Sequence, residues 1–407
     1  MQQRPITEEP CYAAVSYRWG MNNDGDSRLT RSVEVNDRPF YVTQNLFEGL
    51  RRLREQSEIR ILCIDAVCID QSNSEEQSQQ VASMARIFQQ ASEVLLWLGE
   101  GETESMDRAT FDMFMRIGQA EARTKTSADG DAAIPLTFLL SALLHDGQDL
   151  CPDEQSLSCS ICHALTSFAI PSTPETTSGE EWFVEACAAV FDKTPRLLSL
   201  AMRKGHILHQ LASRRYWSRR WTAQELNSNQ RRKMYWGPCS IDASGTQGDN
   251  IVRLVKCVNL ALELMLLRTD PAQQERTKWL REAWLSYKGL YERLRDVHRI
   301  GRLGEDILTA PPRDTHDLLH ALSACAGMNC SDPRDRLYSL LSFDRGAKIT
   351  PDYSAKTTEV YIRFARHLID TGHSGTLLRN MLRNSNPSGG HIELPSSVLD
   401  LRSPLFD

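Results

Sequence analysis

Three short apolar runs in the first hundred residues predict buried strands. They are residues 12–17 (YAAVSY), 59–64 (IRILCI) and 94–98 (VLLWL). Each run is nearly continuous in apolar side chains and is followed within a few residues by a glycine or an acidic residue, which is typical of a strand that is covered on both faces. Strands of this kind belong to parallel sheets whose two faces are packed with helices.

Helices are predicted between these strands. Thr43 can cap a helix in which leucines recur at helical spacing over residues 46–53. Residues 74–77 (SEEQ) have the spacing of a capping box that begins at Ser74. The apolar stripe of the second helix consists of Val81, Met84, Ala85, Phe88 and Ala91. The order strand, helix, strand, helix, strand predicts an α/β fold with a doubly wound parallel sheet.

A small hairpin is expected beside this sheet. Residues 33–35 and 40–42 flank Asn36 and Asp37, which favour a tight turn. Beyond residue 100 the pattern loosens, and residues from about 100 to 214 are interpreted as an insertion. Order returns in residues 216–226, which predict a helix, and in residues 233–236, which predict a strand that ends at a glycine.

The remaining chain is mainly helical in its pattern. Residues 250–298 look helical throughout, and a helix over residues 334–341 has Asp332 as its cap and Pro333 at its first position. We therefore predict one α/β domain at residues 11–240, with the insertion at about 100–214, and a mainly α C-terminal region at 241–407.

Composition and charge narrow the class of protein. The 407 residues are 41% hydrophobic and 25% charged, and the net charge is −6. The lysines and arginines are scattered, so no nucleic-acid partner is expected. The N-terminus lacks a secretory signal and the longest apolar run, residues 134–144, is shorter than the ~20 residues of a membrane-spanning helix. These features predict a cytoplasmic protein with no membrane span, whose eleven cysteines form no disulfide framework.

Candidate chemistry lies at the predicted carboxyl ends of the strands, where ligands bind in open α/β sheets. Apart from one glycine, these residues are polar or aromatic. One group follows the first strand, a second group follows the second strand, and a third lies in the helix predicted at 216–226. In that order they are Ser16, Tyr17, Arg18, Trp19 and Gly20, then Asp65, Asp70 and Gln71, then Trp221, Gln224 and Glu225. We expect them to converge on one crevice.

Each of these residues also has an ordinary structural explanation. A glutamate on a helix, such as Glu225, is usually solvated, and tryptophans are more often core residues than ligand platforms. Asp70 and Gln71 can satisfy the amides of a turn. The charged cluster at residues 332–336 (DPRDR) is interpreted as a helix start with exposed ion pairs, each contributing ~0–1 kcal/mol, and we assign it no catalysis.

One cysteine cluster matches a cofactor motif. Residues 159–163 (CSICH) have the spacing of a c-type haem attachment site, and with Cys151 they could supply zinc ligands. The cluster lies in a segment rich in Ser, Thr and Pro and lacks a second close ligand pair, so we predict no metal and no cofactor. The chain also contains no glycine-rich phosphate loop, nucleophile elbow or HExxH helix, which disfavours a kinase, a hydrolase or a metalloprotease.

Three blocks, in this order, resemble the signature of the fungal heterokaryon-incompatibility (HET) domain. They are residues 12–20 (YAAVSYRWG), residues 63–71 (CIDAVCIDQ) continuing to 97–99 (WLG), and residues 220–225 (RWTAQE). The resemblance covers about residues 11–240. Residues 332–338 (DPRDRLY), 351–354 (PDYS) and 394–396 (LPS) are similar to blocks that commonly follow the HET domain, although residues 397–400 (SVLD) depart from the usual pattern.

HET domains in turn resemble Toll-receptor-type (TIR) domains, which have a flavodoxin-like sheet. Residues 221–226 (WTAQEL) are similar to the TIR Trp-Cys-x-x-Glu-Leu helix, with Thr222 in place of the cysteine. The resemblance implies that Glu225 is a catalytic carboxylate that cleaves the nicotinamide glycosidic bond of NAD, with the other candidate residues binding the substrate. It also implies self-association and a role in programmed cell death, allorecognition and innate immunity.

Two other functions remain open at this point. A non-catalytic death-signalling adaptor would dock partner proteins through surfaces around the loop at Asp70. A structural or decaying paralogue would do neither, and the departure from the family pattern near the C-terminus favours that alternative.

Overall fold

The computed structural model of the protein describes residues 12–19, 28–54, 59–100, 179–242, 247–309, 314–344 and 349–375, with residues 398 and 401. Gly20, most of the predicted insertion and the cluster from Cys151 to His163 lie outside the described residues. The chain divides into two compact units. The first consists of residues 1–100, 215–238 and 299–407, and the second of residues 101–214 and 239–298.

The N-terminal segment supplies most elements of the first unit. In chain order they are β1 (Ala13–Tyr17), β2 (Leu29–Val35), β3 (Arg38–Thr43), α1 (Gln44–Leu53), β4 (Leu62–Cys63), α2 (Asp65–Cys68), α3 (Ser74–Gln90) and β5 (Val94–Trp97).

The rest of the chain is mainly helical. In chain order it contains α4 (Gly179–Lys193), α5 (Pro195–Ala212), a 3-10 turn (Arg215–Ser218), α6 (Trp221–Asn227), β6 (Arg232–Trp236), β7 (Cys239–Asp242), α7 (Gln247–Arg268), α8 (Gln274–Thr309), α9 (Asp314–Ala324), α10 (Asp335–Tyr338), a second 3-10 turn (Leu341–Phe343) and α11 (Thr357–Asp370).

A parallel sheet forms the centre of the first unit. The strands of the sheet that belong to this unit lie in the order β4, β1, β5, β6, and the pairs β1 with β4, β1 with β5 and β5 with β6 are all parallel. The prediction of an α/β fold is confirmed, with a central sheet that is mostly parallel. The predicted hairpin is confirmed too, since β2 and β3 pair antiparallel and Asn36 and Asp37 have φ of 52° and 60° at the turn.

The second predicted strand is much shorter than expected. Only Leu62–Cys63 forms a strand, whereas Ile59 is 98% exposed. The reason is its place at the edge of the described parallel strands, where it pairs with β1 over only two residues. A run of apolar residues does not reveal how many of them find a pairing partner.

The predicted start of α1 is confirmed, and the predicted start of α3 is corrected. Thr43 accepts a hydrogen bond from the Leu46 amide and caps α1, as predicted. The cap of α3 is Asn73 rather than Ser74, because the Asn73 side-chain oxygen accepts from the amides of Glu75 and Glu76. Ser74 is the first helical residue instead. Asparagine and serine are equally good caps, so the residue types alone do not decide between them.

Two other predicted helices are broken. The stretch 216–226 begins as a 3-10 turn, and α6 starts only at Trp221. The stretch 334–341 is the one-turn helix α10 followed by a 3-10 turn. Asp332 nevertheless accepts from the Arg334 amide at 2.9 Å, so it does satisfy a backbone donor at this turn.

The face of β1 that bears Ala13, Val15 and Tyr17 packs into a hydrophobic cluster with residues of α1 and β5. Gly49 of α1 is required here, because a Cβ at this position would come within 2.9 Å of the Trp97 ring. The opposite face of β1 carries Ser16, which is fully buried. The alternation of side chains along a strand therefore directs Ser16 away from this cluster.

The second unit has a helical core of its own. Residues of α4, α5, α7 and α8 bury one cluster that includes Phe183, Phe191, Leu208, Leu262 and Tyr287. The helical pattern predicted for residues 250–298 is confirmed by α7 and α8. Among the helices that are described, none is both long and apolar enough to cross a membrane.

Candidate functional site

A cleft of about 510 Å³ opens in the first unit beside the carboxyl ends of β1 and β4. Its lining comes from the loop after β1, from α2 and α3, from the segment at 215–221 and from residues 329–353. The charged and aromatic lining residues include Arg18, Trp19, Asp65, Arg219, Trp221 and Asp335. The volume is in the ordinary range for a small-molecule site.

The floor of this cleft is a charged cluster of Arg219, Asp65, Glu225 and Ser16. The guanidinium of Arg219 contacts both carboxylates of this cluster. Its Nη1 donates to the carbonyl oxygen of Tyr17 at 2.7 Å and lies 2.9 Å and 3.1 Å from the two carboxylate oxygens of Glu225. Its Nη2 pairs with Asp65 at 3.3 Å. Burial alone would lower the pKa of Arg219, but the two carboxylates raise it above its usual value.

Glu225 lies beneath Arg219 and is only 1% exposed. The Ser16 hydroxyl donates to its carboxylate, and Ser16 also shares a hydrogen bond of 2.6 Å with the Tyr216 hydroxyl. Burial raises the pKa of Glu225, while Arg219 and Ser16 oppose that rise without cancelling it. The expectation that a helical glutamate is solvated is wrong here.

Asp65 connects the floor to the wall of the cleft. It begins α2, and its Oδ1 accepts from the Ala66 amide at 2.8 Å. The indole nitrogen of Trp19 lies 3.1 Å from both carboxylate oxygens of Asp65. This contact holds the Trp19 indole, which also lines the cleft, against Asp65. Tyr17 is buried beside it, which raises the pKa of the Tyr17 hydroxyl well above its usual value.

The opposite wall comes from residues beyond 328. Asp335 accepts from the Trp221 indole nitrogen at 3.1 Å and from the Tyr353 hydroxyl. The interpretation of residues 332–336 as exposed ion pairs is wrong for Asp335, which lines the cleft. The Arg334 and Asp332 side chains do pair, at 2.6 Å.

The structure brings some of the predicted site residues into the cleft and not others. Those that line it are Arg18, Trp19, Asp65, Gln71 and Trp221. Ser16 and Glu225 are buried behind Arg219 and do not line the cleft itself. Tyr17 lines a second cleft of about 590 Å³, at whose rim Asp70 is exposed. Gln224 is buried, and its amide faces the backbone of Ser339 and Ala85.

Sequence reasoning did not single out Arg219, Tyr216, Asp335 or Tyr353. Arg219 is separated from Asp65 by 154 positions, and Trp221 from Asp335 by 114. The need for Arg219 becomes visible only with the structure, because a buried glutamate requires a cation or several donors and the sequence did not reveal that Glu225 is buried. Within the described residues, no group of three or more His, Cys, Asp or Glu side chains could hold a metal ion.

The comparison with protein families matches residues 12–225 to the family described as Heterokaryon incompatibility protein (HET). That range is more than half of the 407 residues. The chain belongs to the HET family. The match begins one residue before β1 and ends at Glu225, so the HET region contains Ser16, Asp65, Arg219 and Glu225 and therefore the whole charged floor of the cleft.

A curated relative is named for heterokaryon incompatibility, as the family is. Heterokaryon incompatibility protein 6, OR allele, from Neurospora crassa is 38% identical to this chain over 128 residues. The alignment covers 28% of this chain and 18% of the relative, so this chain matches only a small part of that protein's length. No solved structure matches the chain.

Proposed function

We propose that this protein is a heterokaryon-incompatibility signalling protein of a fungus, which acts in the cytoplasm to trigger programmed cell death when unlike cells fuse. Membership of the HET family carries the proposal, and the similarity to a protein named for heterokaryon incompatibility supports it. Because the HET region contains the charged floor of the cleft, we propose that this floor carries its activity.

The sheet is further proposed to be flavodoxin-like, as in TIR domains. Its four strands in the first unit lie in the order second, first, third, fourth, counted along the chain. The same order begins the flavodoxin-like arrangement, in which ligands bind beyond the carboxyl ends of the strands. The position of the cleft beside the ends of β1 and β4 agrees with this arrangement.

The activity proposed for the cleft is hydrolysis of the nicotinamide glycosidic bond of NAD. Water adds to the ribose carbon, nicotinamide leaves, and ADP-ribose and a proton are the other products. Two indole rings, Trp19 and Trp221, offer stacking surfaces for the bases, and Arg18, which lines the same cleft, supplies a positive charge that suits phosphate. A carboxylate at Glu225 would stabilise the positive charge that develops on the ribose.

The conformation described here is a resting one under this proposal. Glu225 is buried and its carboxylate is held by Arg219, which itself lines the cleft. Glu225 therefore reaches a ligand only after the guanidinium moves. We propose that self-association of HET domains brings about this movement, so that the activity depends on assembly.

The burial of Glu225 favours a second candidate function, a non-catalytic signalling adaptor. In this alternative the Glu225–Arg219 pair only maintains the fold, and partner proteins dock around the exposed loop at Asp70. Asp70 accepts from the Ser72 amide and hydroxyl, which gives this loop a defined conformation. Such a loop can present a surface to a partner without any turnover.

Release of nicotinamide distinguishes the two candidates. Purified full-length protein is concentrated to permit self-association and incubated with NAD, as wild type, as Glu225→Gln and as Glu292→Gln. Glu292 is an exposed glutamate of α8 and serves as the matched control. We expect equal release from wild type and Glu292→Gln, and a loss of about 100-fold or more in Glu225→Gln. No release by a folded, assembled wild type, together with partner capture that survives Glu225→Gln, would leave the adaptor.

A further inference from the structure

A carboxyl group from beyond the HET match lies in the cleft. Asp335 is the first residue of α10, and its side chain lines the cavity. Its Oδ2 accepts from the Trp221 indole at 3.1 Å and its Oδ1 accepts from the Tyr353 hydroxyl. Donors from two separate segments thus fix the orientation of one carboxyl group, and each of its oxygens keeps a lone pair for a further donor.

The donor Tyr353 is itself held in place. The Arg334 guanidinium lies 5.0 Å from the centre of the Tyr353 ring and donates to the carbonyl oxygens of Tyr353 and Ala355 at 2.6 Å and 2.9 Å. The Tyr338 ring packs edge-on against Tyr353 at 5.3 Å. Because its donor Tyr353 is held in this way, the Asp335 carboxyl group is already ordered before a ligand binds.

The surroundings of Asp335 set its charge. Its pKa is raised to about 6, chiefly by burial and in part by Asp332, while the hydrogen bonds from Tyr353 and Trp221 and the charge of Arg219 oppose the rise. The Cys330 thiol also lies nearby, and burial raises its pKa to about 11, so it stays neutral when Asp335 titrates. The carboxyl group is therefore charged at neutral pH and loses its charge in mildly acidic solution.

We propose that Asp335 is a ligand-binding residue of the cleft and accepts a hydrogen bond from a ribose hydroxyl of a nucleoside phosphate. The inference rests on the proposed function, which supplies the class of ligand. An acceptor with a further lone pair suits a hydroxyl donor, and the positive charge of Arg18, which lines the same cleft, suits the phosphate. The segment that follows the HET match is then part of the binding site.

The test is a titration of the full chain with ADP-ribose, which lacks the nicotinamide bond and so reports binding without cleavage. Calorimetry compares wild type, Asp335→Asn, Tyr353→Phe and the control Asp370→Asn, an exposed residue of α11. At about pH 7.5 we expect Asp335→Asn to bind about ten- to a hundredfold more weakly than wild type and than Asp370→Asn.

The pH profile separates ligand contact from a structural role. Wild-type affinity is expected to fall as pH drops through about 6, because protonation removes the negative charge and turns one of the two acceptor oxygens into a donor. Tyr353→Phe removes a donor that lowers the pKa of Asp335 and keeps the ring, so its midpoint moves to higher pH. Asp335→Asn abolishes this dependence.

Three outcomes would overturn the inference. One is equal ADP-ribose affinity in wild type and Asp335→Asn across the pH range. Another is an unchanged midpoint in Tyr353→Phe, which decides the matter even when Asp335→Asn fails to fold. If wild type binds no ADP-ribose, the nucleotide assignment of the cleft fails and this inference fails with it. Binding that depends on Asp335 in a protein that cleaves no NAD supports the inference and rejects only the cleavage.

Discussion

Burial disfavours the charged form of a carboxyl group, and two neighbours offset that penalty for Glu225. Arg219 supplies a full positive charge within 2.9 Å, and Ser16 supplies a hydrogen bond. Such a pair contributes little when it is intact, because desolvation consumes most of the Coulombic gain. Removing one partner is different, since the other charge is then left buried and unpaired.

We therefore expect Arg219→Gln to lower the free energy of unfolding by ~3–5 kcal/mol at neutral pH. Urea denaturation followed by circular dichroism measures the change. Arg268→Gln is the control, because Arg268 and Glu185 form an ion pair with side chains 56% and 54% exposed. The loss of that pair is expected to change stability by ~0–1 kcal/mol.

The deficit of Arg219→Gln depends on pH in a defined direction. Burial already raises the pKa of Glu225 in the folded protein, and removal of Arg219 raises it further. A carboxyl group whose folded pKa exceeds its unfolded pKa binds more protons when folded, so stability rises as pH falls. The deficit should shrink on acidification, and a deficit that grows would show that Glu225 is not the group left unpaired.

At the scale of single elements, the start of α3 offers a direct test of the corrected cap. The Asn73 side chain accepts from two backbone amides, whereas Ser74 lies inside the helix. Asn73→Ala should lower the free energy of unfolding by ~1 kcal/mol, and Ser74→Ala should change it much less. Paired urea titrations measure both changes. A larger effect at Ser74 would restore the capping box that the sequence pattern indicates.

Elements with a local cause were predictable from the sequence. The helix after Thr43, the turn at Asn36 and Asp37 and the buried strand β5 all follow from caps, turn residues or continuous apolar runs. The length of β4 was not, because it depends on pairing with β1 at the edge of these strands. Whether an apolar residue such as Ile59 is covered is a property of the whole fold.

The same distinction applies to the candidate site. Residues that follow the strands, such as Trp19 and Asp65, could be proposed because the carboxyl ends of parallel strands meet at one edge. Arg219 and Asp335 could not be proposed in this way, because their partners are more than a hundred positions away along the chain. Long-range pairs of single residues leave no periodic pattern in a sequence.

At the scale of the whole molecule, the HET region depends on later residues for its hydrogen bonds. Arg220 is only 1% exposed, and its guanidinium donates to the carbonyl oxygens of Cys325 and Arg336. The Asn329 backbone exchanges hydrogen bonds with Ser218 and Arg220 at 2.6 Å and 2.9 Å. All of these residues belong to the first compact unit, although only those up to residue 225 lie in the family match.

A fragment of residues 1–240 corresponds to the α/β domain predicted from the sequence, and we expect it not to fold cooperatively. It retains the Arg220 charge but lacks both carbonyl acceptors of that guanidinium. The fragment also lacks the Asn329 backbone that pairs with Ser218 and Arg220, and each lost hydrogen bond costs about 0.5–1.5 kcal/mol of the ~5–15 kcal/mol that stabilises an ordinary domain. Urea unfolding of the fragment beside the full chain measures the effect, and addition of a second fragment, residues 299–375, should restore part of the transition because it returns the missing acceptors. A fragment that unfolds cooperatively at the same urea midpoint as the full chain would instead make residues 11–240 a domain in its own right. The HET region would then fold without the later segment that contains Asp335.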